Sequence, residues 1–390
     1  MDSVRIEFVQ SISELSDQHR NDLNVMAGDY PFLQFNFLSW LETSGVVGEG
    51  TGWKPHHCVV FLDEQLIGFM PLYFKYHSYG EYVFDHSWAD AYFRYGFDYF
   101  PKLVSAIPFT PITGPRVCIR KDALDNEVMF NGLLSRMVEQ VKGLALSIDA
   151  SSFHCLFPTA QQTNQLDADF DFARKAVHFQ WQNRGYQSFD HFLEEFSSRK
   201  RKNVRKERKA LVDKGIEFEV LSADQIQPDH WRAFYKFYVM TYAKRSGHGG
   251  YLNKAFFDGL THTMADQLVL VLAKREGRYI AGALNFRDST CLYGRYWGAI
   301  EHHEFLHFEA CYYQGIDYCI AEGLKRFDPG VQGEHKIQRG FEPVYTHSLH
   351  WIRDDAFRVA IAKAVNEETV YIDDYYQACR QALPFKKASG

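Results

Sequence analysis

Between residues 295 and 339 the sequence gathers side chains able to hold an anion, polarise a carbonyl or move a proton: Arg295, Tyr296, Glu309, Tyr312, Glu334, His335, Lys336 and Arg339. Chemistry of this kind requires no covalent nucleophile. No G-x-S-x-G elbow or cysteine-nucleophile signature occurs. The stretch GVQGEHKIQRGF spaces Lys336 and Arg339 three apart, so on a helix they share one face and can grip a phosphate or a developing oxyanion. Glu309 and Glu334 are candidate bases or amine holders. The candidate catalytic set is therefore Glu309, Tyr312, Lys336 and Arg339, with Arg295, Tyr296, Glu334 and His335 as substrate-binding residues. Three have a plainer reading: Arg295 and Tyr296 as paired strand residues, Tyr312 as core. His154 and His178 read as structural, each satisfied by a backbone partner.

A second feature is electrostatic. The run SSRKRKNVRKERK (197–209) holds eight basic side chains against the single acid Glu207, net +7 in a chain of formal charge −6, so the remaining residues carry −13. Coating a nucleic acid needs a broad basic face. One local anion site on an acidic body fits better, with Arg199, Arg201, Lys202 and Arg205 as the phosphate-binding set. The plain alternative is a solvated helix face, but such faces normally carry acidic partners at i+4, and Glu207 is the only one. A third motif, His303-Glu304-Phe305-Leu306-His307, matches the H-E-x-x-H zinc-hydrolase signature, with Glu322 downstream as a conceivable third ligand. The motif is short and lies at a strand-to-helix junction, so no metal is assigned.

The elements that must position these residues repeat. The runs HHCVVF, LIGFMPLYFKY and YVFDHSWADAYFRYG read as antiparallel strands joined by tight polar turns, and LVLVLAKR, YIAGALNFR and CLYGRYWGA repeat the pattern at 268–299. Each block precedes an amphipathic helix, at 126–146 and 308–324, then a short strand, another helix and a closing strand. FHCLFP and VHFQW in the first half answer RFDPG and THSLHW in the second. The expected architecture is α/β (α+β): two tandem domains, 1–177 and 178–390, each a mixed, mostly antiparallel sheet flanked by helices. The basic run falls on a helix from about 199 to 213, after an N-cap at Ser188 for the preceding helix and before a C-cap at Gly215; its apolar stripe is only Val204, Leu211 and Val212.

With 390 residues, 46% hydrophobic and 16% aromatic, the chain can bury two large cores. No apolar run reaches the roughly 18 residues of a membrane span, and the first residues lack a signal pattern. Seven scattered cysteines without a C-x-x-C pair read as reduced, buried thiols in a cytoplasmic protein.

The run RKRKNVRKERKALVDKGIEFEV, together with FDHSWADAYFRYG, YFPKL, PFTPITGPR and FHCLFP in the first half and RYWGAIEHHEFLHFEACYYQGIDYCI and FDPGVQGEHKIQRGFEP in the second, resembles the FemAB-like group of the GNAT acyl-transferase superfamily. The resemblance covers nearly the whole length. It implies two tandem GNAT-like domains and transfer of an aminoacyl group from aminoacyl-tRNA, or of an acyl group from acetyl- or acyl-coenzyme A, to an amine acceptor on a small molecule or peptide such as a peptidoglycan precursor. No tightly bound cofactor and no membrane insertion are implied; tRNA is a candidate partner. A coenzyme A site of this fold carries a Gly-rich Q-x-x-G-x-G/A turn after the fourth strand. AIEHHEFLHFE and ADAYFRYGFDYF lack that spacing, which leaves room for a tRNA-borne donor. A groove between the domains is expected, lined by Trp88, Tyr92, Tyr296 and Tyr312. The alternative is a non-catalytic module that recognises a phosphorylated or cell-wall precursor through the basic helix.

Overall fold

The computed structural model describes residues 4–124, 126–331 and 333–386. The ends of the two expected domains, 1–3 and 387–390, lie outside the described residues. The chain forms two compact units: residues up to Ala176 with Tyr345–Asp374, and Val177–Val344 with the residues from Tyr375 on. The second domain therefore does not run uninterrupted to the C-terminus. From Tyr345 the strand Glu342–Ile352 pairs with Ser152–Leu156, and the start of the helix Asp355–Gln381 buries Phe357, Ile361 and Val365 against Trp88, Tyr92 and Tyr99. The apolar face of that helix finds its partners in the first unit, which overrides chain order.

Within the first unit, Val4–Val9, His57–Leu62, Gln65–Met70 and Cys118–Ile119 form one antiparallel sheet. Trp53–Pro55, Tyr73–Lys75, Lys102–Ser105, Ser152–Leu156 and the closing strand follow one another in a second, where only Lys102–Ser105 and Ser152–Leu156 run parallel. The helix Glu127–Ser147 starts on Asn126, whose side chain accepts from the Met129 amide. It covers the sheets with Leu133, Leu134, Met137, Val138, Val141 and Ala145, at helical spacing.

In the second unit Ile216–Ser222, Leu268–Arg275, Arg278–Arg287 and Cys291–Ala299 are antiparallel neighbours; Cys291–Ala299 runs parallel to Arg326–Asp328, which pairs with Phe172–Gln182. Ser188 caps its helix as expected, accepting from the His191 amide. The basic helix spans Ser198–Val212, and Gly215 (φ 66°) supplies the left-handed turn that ends it. Val204 and Leu211 are buried, whereas Val212 is 71% exposed.

Strand registers show the duplication residue by residue. In the first unit Phe61 faces Leu66 and Val60 faces Gly68, so Ile67 is an extra, bulged residue; in the second Lys274 faces Tyr279 and Ala273 faces Ala281, which leaves Ile280 bulged. Counting on from these bulges, Phe74 opposite Leu103 corresponds to Arg287 opposite Leu292, and Phe153 opposite Trp351 corresponds to Phe327 opposite Trp181. The next position in each unit holds a cross-strand polar pair: His154 with His350, and Asp328 with Gln180, whose amide donates to the carboxylate at 3.0 Å.

Candidate active site

Three elements of the second unit build a buried polar cluster. The helix running from Leu306 to Ala321 contains a π segment, Glu309–Tyr313. The extra residue in that turn sets Glu309, Tyr312 and Tyr313 all inward, and such bulges recur at functional sites. The basic helix turns one face toward it: besides Val204 and Leu211, Glu207 and Arg208 point inside. Arg208 Nη2 donates to Glu309 Oε1 (2.9 Å) and Asp317 Oδ2 (2.8 Å), and its guanidinium lies 4.4 Å from the Phe189 ring centroid. Glu207 accepts from the Tyr313 hydroxyl and, at 2.8 Å, from Arg339 Nη2.

The third element is the 3-10 helix Glu334–Arg339. Residues three apart eclipse in this helix, so Lys336 and Arg339 do share a face. That face turns inward, and both side chains are buried. Arg339 Nη1 donates to the His335 carbonyl at 2.7 Å, and its guanidinium stacks 3.4 Å from the Phe308 ring centroid. Lys336 Nζ donates to the Gly330 carbonyl. The two cations therefore do not form a solvent-facing phosphate grip, because internal acceptors take their principal N–H groups. Gly333 (φ 109°) makes the entry turn possible, since a β-carbon there would sit 2.1 Å from the His335 ring.

Burial controls the protonation states. It pulls Lys336 down to about 8 against the opposing charge of Asp328, and His335 down to about 4, helped by the nearby cations Arg339, Lys336 and Arg245. His335 is thus neutral near pH 7, and its Nε2 lies 2.7 Å from the Tyr312 hydroxyl. Burial also raises Glu309, and the Arg208 charge only partly offsets it. Glu309 Oε1 accepts from Arg208 and from Gln314 (2.7 Å), while Oε2 is buried with no hydrogen-bond partner.

Tyr312 thus meets His335, Arg339 reaches the His335 carbonyl and Glu207, Glu309 is held by Arg208 and Gln314, and Lys336 is held by the Gly330 carbonyl. Glu334 faces solvent and accepts from Tyr375 at 3.0 Å. Arg295 is the bulged residue between the pairs Leu284–Tyr296 and Asn285–Gly294, half-buried, its guanidinium 5.1 Å from the Tyr296 ring centroid. Tyr296 packs edge-on against Tyr238 and Phe257. Trp88 and Tyr92 belong to the first unit's core, Trp88 edge-on to His350 and Tyr92 stacked on Phe357 at 3.8 Å. Tyr312 lies in a core of the second unit. Of the four aromatics expected to line one groove, Trp88 and Tyr92 share a core cluster of the first unit, Tyr312 lies in a core cluster of the second, and Tyr296 is buried against Tyr238 and Phe257.

Of the phosphate-binding set, Arg199, Lys202 and Arg205 are exposed and Arg201 is half-buried. Arg205 is paired with Asp190 at 2.7 Å. Residues missed in the sequence are Glu207, Arg208, Tyr313, Asp328 and Gln180. The one available signal was Glu207, a lone acid in a basic run, whose position on the Val204–Leu211 face marks it as an internal partner.

The H-E-x-x-H stretch is not a zinc site. Phe305 adopts φ 71° and the helix begins at Leu306, so His303 and His307 are not one helical turn apart. His303 pairs with Glu301 at 2.8 Å, while His307 packs among the rings of Trp297, Tyr312 and His335. Among the described residues no cluster of three or more His, Cys, Asp or Glu side chains is placed to hold a metal ion, and no helix is long and apolar enough to cross a membrane.

The fold is shared with solved structures of low sequence identity. FemX matches at a TM-score of 0.52 and 13% identity over 91% of this chain and 100% of its own. The C-terminal domain of a putative lysylphosphatidylglycerol synthetase from Agrobacterium fabrum matches at 0.53 and 10% identity, over 91% of this chain and 96% of its own. The shared fold is a mixed α/β architecture with mostly antiparallel sheets. No curated protein sequence matches the chain. Residues 11–387 match the model of the FemAB-like family, described as peptidoglycan biosynthesis/recognition, and the chain belongs to that family.

Proposed function

We propose that the protein is a cytoplasmic N-acyltransferase that moves an aminoacyl group from aminoacyl-tRNA, or an acyl group from acyl-coenzyme A, to an amine on a peptidoglycan precursor. The observation that carries this is the bare Oε2 of buried Glu309, on the same π segment that presents Tyr312 to His335, in a cluster that also holds two buried cations. Attack of the amine nitrogen on the donor carbonyl forms the C–N bond and places negative charge on the carbonyl oxygen. Lys336 is the cation for that charge; one such donor is worth roughly 2.7–4 kcal/mol of barrier. The amine proton passes to Glu309 Oε2, which burial makes a stronger base than an ordinary carboxylate. The C–O or C–S bond then breaks as the proton held by Glu309 passes to the departing oxygen or sulfur, so the donor leaves as its alcohol or thiol and the carboxylate is restored. His335, neutral and fixed by Tyr312, orients the incoming amine.

The test is a transfer assay with charged tRNAs and acyl-coenzyme A as donors and precursor peptides as acceptors, read by product mass. Glu309→Gln should lower kcat by about 10²–10⁴ with the fold intact. A recognition module is the second reading, favoured by the internal acceptors that already hold Lys336 and Arg339. Precursor binding by a wild-type protein that transfers nothing from either donor would select it.

A further inference from the structure

The two units differ at one hairpin. In the second unit the strands Arg278–Arg287 and Cys291–Ala299 are joined by a tight turn after Asp288. At the equivalent place in the first unit, between Lys75 and Lys102, the chain inserts residues 76–101, of which eleven are aromatic.

The base of the insertion is fastened by ions. Lys75 and Lys102 stand directly opposite each other on neighbouring strands, and both are wholly buried, an arrangement that repels unless compensated. The insertion supplies the compensation. Lys102 Nζ donates to Glu81 Oε2 (2.8 Å), Ser78 Oγ (3.2 Å) and Asp85, while Lys75 Nζ donates to the Tyr79 carbonyl (3.1 Å) above the Trp53 ring. Tyr99 at the far end donates to Asp85 Oδ2 at 2.6 Å. The helix His86–Arg94 then buries Trp88 and Tyr92.

What this anchored loop displays is aromatic. Tyr76, Tyr79, Phe84, Phe93, Tyr95 and Phe97 are 52–84% exposed. Phe93, Tyr95 and Phe97 alternate along a turn whose backbone is held by bonds from the Tyr95, Gly96 and Phe97 amides to the helix end, with Tyr95 and Phe97 both edge-on to Phe357. Exposed rings on a fixed backbone are an interaction surface, pre-organised so that little ordering entropy is lost on binding. The exposed charges between them are Asp90, Arg94 and Asp98, with no cationic excess. That disfavours phosphate backbones and anionic lipid, whereas rings interspersed with carboxylates suit the C–H faces and hydroxyls of an uncharged sugar chain.

We propose that the insertion 76–101 is a carbohydrate-binding platform, with Phe93, Tyr95 and Phe97 as the contact rings for the glycan part of a cell-wall ligand. The ligand class rests on the peptidoglycan reading above; the surface itself does not.

The test uses the full chain and the triple variant Phe93→Ser, Tyr95→Ser, Phe97→Ser. Co-sedimentation is measured with isolated peptidoglycan, with chitin, and with zwitterionic phosphatidylcholine vesicles, each at low and at about 0.5 M salt. The expected result is wild-type binding to both glycans at either salt, about tenfold or more weaker in the variant, which should still unfold cooperatively because Tyr95 and Phe97 give up only edge contacts to Phe357. Equal binding by the two proteins, no glycan binding by the wild type, or binding to vesicles alone overturns the proposal. Transfer to a soluble precursor, assayed in parallel, should survive in the variant. Glycan binding without any transfer would overturn the enzymatic reading and leave the platform standing.

Discussion

The Nδ1 atoms of His154 and His350 lie 2.8 Å apart on paired strands, and the Nε2 atoms face Ser152 at 2.9 Å and Ser348 at 2.8 Å. A hydrogen bond between two Nδ1 atoms requires one ring to donate and the other to accept, so the bond is lost once both rings are protonated. The partners expected for His154 were backbone groups; they are side chains. The serine hydroxyls rotate to match either tautomer, which lets this pair fill the position that Asp328 and Gln180 fill in the other unit.

Acid should therefore unfold the protein early. Burial holds His154 and His307 down to about 3 and His178 and His335 to about 4, and it places His350 well below 6.5. Between pH 6.5 and about 4 the unfolded chain binds protons that the native chain does not. Stability from these groups is complete above pH 6.5 and falls as pH falls, by up to about 1.4 kcal/mol per pH unit for each histidine. Denaturant melts across this range should show the slope, and His350→Gln, which installs the residue type of Gln180, should make it shallower. A flat profile would remove the neutral-pair argument.

Arg208 should matter to stability far more than its exposed neighbours on the same helix. Arg208→Met leaves Glu309 buried without its cation and should cost about 3 kcal/mol in urea denaturation. Arg199→Ala should stay within about 0.5 kcal/mol. In the double variant Arg208→Met, Glu309→Leu much of the loss should return, since no charge is then stranded. Additive losses would mean that the pair does not act as a unit.

Anion binding by the outer face of that helix gives a different signature. Replacing Arg199, Arg201 and Lys202 by Ala should weaken tRNA binding and flatten its salt dependence by about 0.7 in log K per log salt for each phosphate that is no longer neutralised. Arg205→Ala should do less, because Asp190 already neutralises it. An unaltered salt slope in the triple variant would identify the face as merely solvated.

If Lys336 stabilises the oxyanion it must be charged, and its depressed value near 8 sets the upper limit. Transfer rate should decline as pH rises through about 8. Lys336→Arg, whose charge persists to much higher pH, should remove that decline even if it lowers the maximum rate. A rate that stays level well above this value in the wild type would exclude the role.

Alternation of apolar and polar residues, the charged turns and the capping residues were enough to read two copies of a mixed α/β unit from the chain alone, because a strand or helix must bury one face wherever it goes. The period of that face is written in the residues themselves. The inward Val204 and Leu211 follow from such a local pattern. Lys336 and Arg339 were placed on a common face by spacing, yet spacing does not say whether that face meets water or core, and here it meets core.

What only the tertiary structure decided are partnerships between distant residues. Arg208 reaches Glu309 and Arg339 reaches Glu207 across more than 100 residues of chain. Lys75 and Lys102 are compensated by an insertion, and the strand from Tyr345 joins the first unit rather than the second. A charge run looks solvated until an opposing acid arrives from elsewhere, and a hydrophobic face looks the same whichever core receives it. The physical reason is common to all of these: desolvation and pairing depend on what lies opposite in space, and no local pattern in the chain encodes it.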